Sequence, residues 1–322
     1  MPPLTPSTPF RSLNAHLRAR FGERVQKITL DAGLTCPNRD GRVGRGGCLY
    51  CNRRGSGTGA AARGLDISQQ LATGMAIMAK RYQARKFIAY FQSFSNTYAP
   101  LATLQHLYAQ ALAPPQVVGL SIGTRPDCLS PEILDLLRSY TSTHLVWLEL
   151  GLQSAHDRTL QLINRGHDAA CFAAAVREAA AAGLEVLAHV ILGLPREDRD
   201  DMLATAAFLA DLPLAGVKLH LLYVIRDTPL AALYEAGEYT PLGQQEYVEL
   251  VVDFLELLPP HLVIHRLTGD PHPQELVAPR WCLAKTQVLR QIQEAFSRRQ
   301  TYQGRRWQDG QPSAGRFTIR TS

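Results

Sequence analysis

Nowhere does the sequence hold the run of about 18 apolar residues that a helix needs to span a bilayer. Its beginning, Met1-Pro2-Pro3-Leu4-Thr5-Pro6, lacks the charged segment and apolar stretch of a secretory leader, so a cytoplasmic protein with no membrane partner is expected. Cysteine is scarce: six in 322 residues, three of them within the sixteen residues from Cys36 to Cys51. Clustered, unpaired cysteines fit a reducing compartment better than a secreted disulfide framework. The three also lack a second Cys-x2-Cys pair or a nearby histidine, so a closed four-ligand zinc site cannot be completed locally. There is no internal repeat beyond a strand–helix unit.

What is present starts with 46% apolar residues in 322, enough to bury a full core as one large domain or a barrel with additions. Cys36, Cys48 and Cys51 form a Cys-x11-Cys-x2-Cys loop directly after the apolar strand Ile28-Thr29-Leu30. An iron–sulfur cube held by three thiolates leaves one iron open to a further ligand, which a catalytic cluster requires; the alternative is three thiols that bind nothing. Charge is unevenly placed. Residues 1–62 carry 10 Lys/Arg against 3 Asp/Glu, residues 63–284 carry 16 against 23, and residues 285–322 carry 8 against 2. Two arginine-rich ends thus flank an acidic middle, a distribution suited to a polyanion such as RNA, or else two solvated segments.

Hydrophobic patterning predicts an irregular arm over residues 1–24, with Leu13, Leu17 and Phe21 on one helical face. Strands are expected at Val25–Leu30, Lys86–Phe91, Val117–Ile122, Leu145–Leu150, Val186–Ile191 and Val217–Val224. Helices are expected between them, with Ser68 and Ser130 as N-caps and Gly183 closing an Ala-rich helix. Six such alternations imply parallel strands with right-handed crossovers, a partial (β/α)6 TIM-like barrel over residues 25–225. Residues 226–296 follow as a C-terminal helix and strand extension, including an amphipathic helix on Val248, Val251 and Leu255, a strand within 261–268 and a helix over 281–296. Residues 297–322 read as a basic tail. The polar motifs fall at the C-terminal ends of strands, where barrels of this kind keep their chemistry.

Those motifs resemble the radical S-adenosylmethionine (SAM) enzymes. Tyr50 holds the aromatic position before the last cysteine. The cluster loop, Asn96-Thr97-Tyr98-Ala99-Pro100, Thr124-Arg125-Pro126-Asp127, Glu149-Leu150-Gly151-Leu152-Gln153-Ser154, Asn164-Arg165-Gly166-His167 and His265-Arg266-Leu267-Thr268-Gly269-Asp270 together resemble the YhcC/YtqA-type bacterial group. Several of them also look like the catalytic subunit of Elongator, which acts on wobble uridines of tRNA, and fewer like oxygen-independent coproporphyrinogen III oxidase. The acetyltransferase half of Elongator's subunit has no room here.

The resemblance implies a [4Fe-4S] cluster on Cys36, Cys48 and Cys51, with SAM on the open iron. Arg165 would pair with the SAM carboxylate as a planar fork. Gln153 and Glu149 would hold the ribose and methionyl groups, and Tyr50 and the backbone at Gly193 would flank the adenine. The family's Gly-Gly-Glu after the second strand is missing, leaving Asn96 as the candidate partner of the SAM amine. His189 and His220 read as hydrogen-bonded core imidazoles; Lys218, His265 and Asp270 have no assigned role. Cys128 and Cys282 read as further thiols, and Cys171 as a small apolar residue. The implied reaction is hydrogen abstraction by a 5′-deoxyadenosyl radical from the C5 side chain of a tRNA wobble uridine, for example trimming carboxymethylaminomethyl to aminomethyl. A reducing donor such as flavodoxin or ferredoxin would supply electrons. The alternatives are a small-molecule oxidase related to the coproporphyrinogen enzyme and a non-catalytic iron–sulfur protein that binds RNA.

Overall fold

A computed structural model describes residues 3–55 and 57–307. Helix α1 (Leu13–Phe21) leads into β1 (Val25–Leu30). Beyond the cysteine loop come α2 (Ile67–Tyr82), β2 (Lys86–Phe91), α3 (Leu101–Leu112), β3 (Val117–Thr124), α4 (Pro131–Ser139) and β4 (Leu145–Gln153). Helices α5 (Asp157–Leu162) and α6 (Ala169–Ala181) precede β5 (Glu185–Leu192), α7 (Arg199–Ala210) and β6 (Gly216–Leu221). The chain finishes through β7 (Val224–Ile225), α8 (Pro229–Glu235), α9 (Gln244–Leu257), β8 (Val263–Arg266), β9 (Leu276–Ala278) and α10 (Lys285–Arg298).

Seven strands form one curled sheet in the order β1-β2-β3-β4-β5-β6-β8, every neighbouring pair parallel. It is the half-barrel expected, with the strand foreseen within 261–268 added as a seventh. The seam between the edge strands β1 and β8 is bridged at its base by the N-terminal arm, where Ile264 N–H donates to the Arg11 carbonyl at 2.8 Å. Both faces of the sheet are buried, as parallel sheets require. On the outer face, Val146, Leu148, Leu150 and Leu152 of β4 and Val186, Ala188, Val190 and Leu192 of β5 join the helices in the main core. On the inner face, Leu145, Trp147, Leu187 and Ile88 plug the barrel floor together with Leu17 of α1.

Four expectations change. Ser68 lies inside α2; the cap is Asp66, whose side chain accepts from Gln69 N–H at 2.8 Å while Gln69 reaches back to Asp66 N–H, a reciprocal box that a lone serine does not match. The strand expected over Val217–Val224 ends at Leu221, and β7 turns away to pair antiparallel with β9. The helix expected over 281–296 opens with a separate 3-10 turn, Arg280–Leu283, and runs on to Arg298. The tail boundary at 297 therefore falls within α10. Residues just beyond it are docked: buried Gln303 donates from Nε2 to the Pro259 and Leu262 carbonyls at 2.8 and 3.0 Å, and Arg299 pairs with Asp253 and Glu256 at 2.6 and 3.0 Å. The rest of the expected basic tail, including Arg316, Phe317 and Arg320, lies outside the described residues.

Candidate active site

The cysteine loop folds over the C-terminal end of the barrel and is locked there by two asparagines. Asn38 Nδ2 donates to the Asn164 carbonyl at 2.5 Å, and Asn164 Nδ2 donates to the Gly47 carbonyl at 2.8 Å. Cys51 N–H closes a turn onto the Cys48 carbonyl at 2.9 Å, and Leu49 N–H reaches the Ile163 carbonyl at 3.0 Å. Leu49 and Tyr50 pack against Leu160, Ile163, Leu194 and Leu230 around the barrel mouth. The loop and the turn after α5 are thereby one rigid unit.

That unit delivers Arg165 to the cysteines. Its Nη1 lies 3.7 Å from Cys48 Sγ and its Nη2 donates to the Gly151 carbonyl at 2.7 Å. Nε is buried without a partner. Burial works against the Arg165 charge, but Cys48, Tyr50 and Cys36 reverse the balance and raise its pKa. Arg165 is held from behind. Arg125, 2% exposed, forks onto Asp127 through Nε and Nη2 at 2.8 and 2.7 Å, and its Nη1 donates to the Arg165 carbonyl at 2.7 Å. The Thr-Arg-Pro-Asp motif is therefore a clamp on the Arg165 turn. Gly151 is required where these groups converge: a Cβ there would stand 2.5 Å from Arg165 Nη2 and 2.6 Å from Gln153 Nε2.

The other expected SAM residues are placed as follows. Gln153 ends β4 beside Arg165, with φ at +81°. The Tyr50 phenol is buried against Cys48, with which it hydrogen-bonds; burial first, then the Cys48 charge, raises its pKa far above the ordinary value. Asn96 is fully buried, its Nδ2 donating to the Gly123 carbonyl at 2.8 Å and its Oδ1 without a partner. Gly193 has both backbone polar groups taken up inside the protein, N–H toward Met202 Sδ at 3.1 Å and C=O accepting from Tyr239 at 2.9 Å.

Glu149 stands apart from this group. A bulge between Gly151 and Gln153 leaves Glu149 three residues of the neighbouring strand below Gln153, about 10 Å deeper. Both of its oxygens are engaged there: Oε1 accepts from Lys27 at 2.5 Å and from Ser121, and Oε2 from His189 at 2.5 Å and Lys218 at 3.1 Å. Burial alone would raise its pKa; Lys218 and Lys27, with His189, hold it well below the usual carboxylate range. In this geometry Glu149 is engaged in an interior ion-pair network. His189, expected as a core imidazole, is hydrogen-bonded as foreseen, and burial and then Lys218 push its pKa down to about 4.

Lys27, Tyr90, Ser121 and the Arg125–Asp127 clamp were not singled out from the sequence as site residues. Lys27 and Lys218 each interrupt an apolar strand at an inward position, and that break in alternation was the available signal.

Comparison with known proteins identifies the arrangement. A family model described as the Radical SAM superfamily matches residues 39–209, and one described as the Radical_SAM C-terminal domain matches residues 214–298. The chain belongs to the radical SAM superfamily. The Bacillus subtilis protein YtqA, itself uncharacterized, is 43% identical over 299 residues, 93% of each chain. Escherichia coli YhcC is 39% identical over 267 residues, 83% of this chain and 85% of that one. Human Elongator complex protein 3 is 32% identical over 161 residues, 48% of this chain and 28% of that protein. The fold is shared with the archaeal Methanocaldococcus infernus Elp3, TM-score 0.63 at 16% identity, covering 84% of this chain and 63% of that one.

Radical SAM enzymes use a [4Fe-4S] cluster and SAM, and the residues here suit both. Among the described residues no three His, Cys, Asp or Glu are already drawn together as metal ligands. Buried Arg165 points Nη1 at Cys48 and also feels the charge of Cys36, and Arg165 Nε, Asn38 Oδ1 and Asn96 Oδ1 are buried polar atoms still lacking partners. Buried groups of that kind call for a ligand or bound water. Among the described residues, no helix is long and apolar enough to cross a membrane.

Proposed function

We propose that this radical SAM enzyme modifies the C5 side chain of a tRNA wobble uridine, trimming a carboxymethylaminomethyl group to aminomethyl. When bound, the cluster and SAM would supply a 5′-deoxyadenosyl radical that takes a hydrogen atom from the carboxymethyl carbon next to nitrogen. Return of one electron from the substrate to the cluster and addition of water would then break that C–N bond, releasing the aminomethyl product and glyoxylate. The chain's own residues orient and shield that chemistry. Cys36, Cys48 and Cys51 hold the cluster, and Arg165, through its free Nε–H and remaining Nη hydrogens, takes the SAM carboxylate. Asn96 Oδ1 is an acceptor suited to the SAM amine, Gln153 lies at the ribose level, and Tyr50 and the segment at Gly193 wall off the adenine. A flavodoxin- or ferredoxin-type donor supplies the electron.

The observation that carries the RNA reading is the rim of the site. Arg42, Arg45 and Arg53 of the cysteine loop are exposed beside the mouth, with no carboxylate in ion-pair contact among the described residues. Arg42 lies 5.7 Å from the ring of Tyr98. Cations and an aromatic ring around a catalytic opening suit a phosphate backbone and an unstacked base. The similarity to Elongator complex protein 3 supports the same class of substrate. Mass spectrometry of tRNA nucleosides from a deletion strain tests it: the carboxymethylaminomethyl nucleoside should accumulate and the aminomethyl one disappear. Restoration by the wild-type gene but not by an Arg42→Glu, Arg45→Glu variant should follow. An unchanged nucleoside profile refutes the proposal.

A further inference from the structure

The polar layer inside the barrel is electrically unbalanced. Lys27 of β1, Lys218 of β6 and Arg266 of β8 bring three cationic side chains to it. Among the described residues, only the carboxylate of Glu149 lies within ion-pair distance of any of them, and it pairs with the two lysines. Lys218 also donates to the Tyr90 hydroxyl at 2.8 Å. The guanidinium of Arg266 makes no hydrogen bond and no ion pair with any described residue.

Arg266 nevertheless faces this layer. A register shift lets two residues of β8 oppose one of β6, so that Arg266 stands against Lys218 while His265 packs edge-on to Trp147, ring centres 4.6 Å apart. Its charge acts on Lys27 across the seam and on Lys218 and His220. Burial first, then Arg266 and Lys27 against the pull of Glu149, brings Lys218 down to about 7. Burial, Arg266 and Lys218 hold His220 well below its ordinary value, so the histidines add no further cations to the layer. Arg266 is half-buried, and its planar fork stands open to the barrel opening with no carboxylate among the described residues paired to it. A carboxylate is the anion that its geometry fits.

We propose that Arg266, with Lys27 and Lys218 beside it, is the receptor for a carboxylate of the substrate, drawn into the barrel beneath the level of SAM. The carboxylate of SAM itself is provided for on the opposite side, by Arg165. The inference rests on the tRNA reading for the identity of the group: carboxymethylaminomethyl carries one carboxylate and its aminomethyl product carries none. Arg266 then separates substrate from product, because trimming removes the group that it holds.

The test is equilibrium binding, under anaerobic conditions with the reconstituted full chain, to anticodon stem–loops bearing either carboxymethylaminomethyl or aminomethyl uridine. N-ethylglycine serves as an RNA-free carboxylate probe. Wild-type protein should favour the carboxylate-bearing stem–loop by about 10-fold or more, the size expected of a charge-assisted contact. In Arg266→Gln the preference should fall to roughly 2-fold or less, and Arg266→Lys should retain part of it because the charge survives without the fork. Iron content and melting temperature identify a misfolded variant, in which case Arg266→Lys carries the comparison. Preference retained in Arg266→Gln overturns the proposal. If the wild type ignores the stem–loop side chain yet binds N-ethylglycine in an Arg266-dependent way, the carboxylate receptor stands and the tRNA reading falls. If neither probe senses Arg266, the receptor itself is refuted.

Discussion

Replacing Arg165 by lysine keeps a charge at the site and removes its shape, which makes the magnitude calculable from the contacts. The guanidinium reaches Cys48 Sγ through Nη1 and the Gly151 carbonyl through Nη2, leaving Nε–H free and buried. A lysine ammonium is a single point and cannot span both contacts while presenting two parallel donors to a carboxylate. One charge-assisted hydrogen bond to SAM is therefore lost, worth about 1.5–3 kcal/mol, or about 10- to 150-fold in Kd. The cluster should survive, since no cysteine is altered and the asparagine locks on the loop do not use the Arg165 side chain. The assay is anaerobic equilibrium binding of SAM to reconstituted protein, with iron quantified on the same samples and 5′-deoxyadenosine measured after reduction. The expected result is full iron content, SAM affinity reduced by at least about tenfold and a matching loss of cleavage at subsaturating SAM. Wild-type SAM affinity in a fully loaded Arg165→Lys protein would show that the fork does not bind SAM.

The remaining predictions are independent of that one. Anaerobic reconstitution should give about four irons per chain, falling sharply in Cys36→Ala, Cys48→Ala or Cys51→Ala; a fully active protein holding only zinc refutes the cluster assignment. Asp127→Asn leaves Arg125 buried and unpaired at the back of the Arg165 turn, so it should cost about 3 kcal/mol in chemical denaturation and weaken SAM binding; loss of neither would show that the clamp does not position Arg165. His265→Phe removes two buried ring nitrogens that have no partners while keeping the packing on Trp147, and should stabilise the fold by about 1 kcal/mol. Burial depresses the pKa of His265 below its ordinary 6.5, so its contribution is present above that pH and is lost on acidification. The advantage of the Phe variant should therefore grow from pH 7 to pH 5, and a constant difference in melting temperature contradicts it. Truncation after Trp307 removes Arg316 and Arg320 but leaves the docked Gln303, and should preserve iron content while lowering the salt slope of tRNA binding by roughly 0.7–0.9 per lost phosphate contact; an unchanged slope removes the segment from the RNA interface.

The sheet was legible because parallel strands buried on both faces leave a strong apolar signal. Val25–Leu30 and Lys86–Phe91 were bounded from sequence as the structure has them. Helix ends were less legible where two residues cooperate: the Asp66–Gln69 box is a better cap than Ser68, yet each residue alone is unremarkable in sequence. The cysteine loop announced itself by composition. Its anchoring did not, because Asn38 and Asn164 are 126 residues apart and meet only when β4 and its following turn close over the mouth.

Depth along the barrel axis is the coordinate that sequence reading does not supply. Residues on one face of a strand share a direction but not a level, so Glu149, Gly151 and Gln153 look like one motif while occupying successive heights. In β6 the alternation is plain once the faces are assigned: Val217, Leu219 and Leu221 turn outward to the helices, and Lys218 and His220 turn inward. An inward lysine at mid-strand has no solvent to reach, so it must find an anion inside the barrel, and Glu149 supplies one. That single carboxylate also serves Lys27, so two inward lysines share one counter-charge. Glu149 is thus held by groups of the barrel itself. The remaining cation, Arg266, lies at the end of its strand and, among the described residues, has no carboxylate within ion-pair distance. Substrate recognition inside this barrel should therefore begin at β8, on the seam, across from the strand whose motif first drew attention.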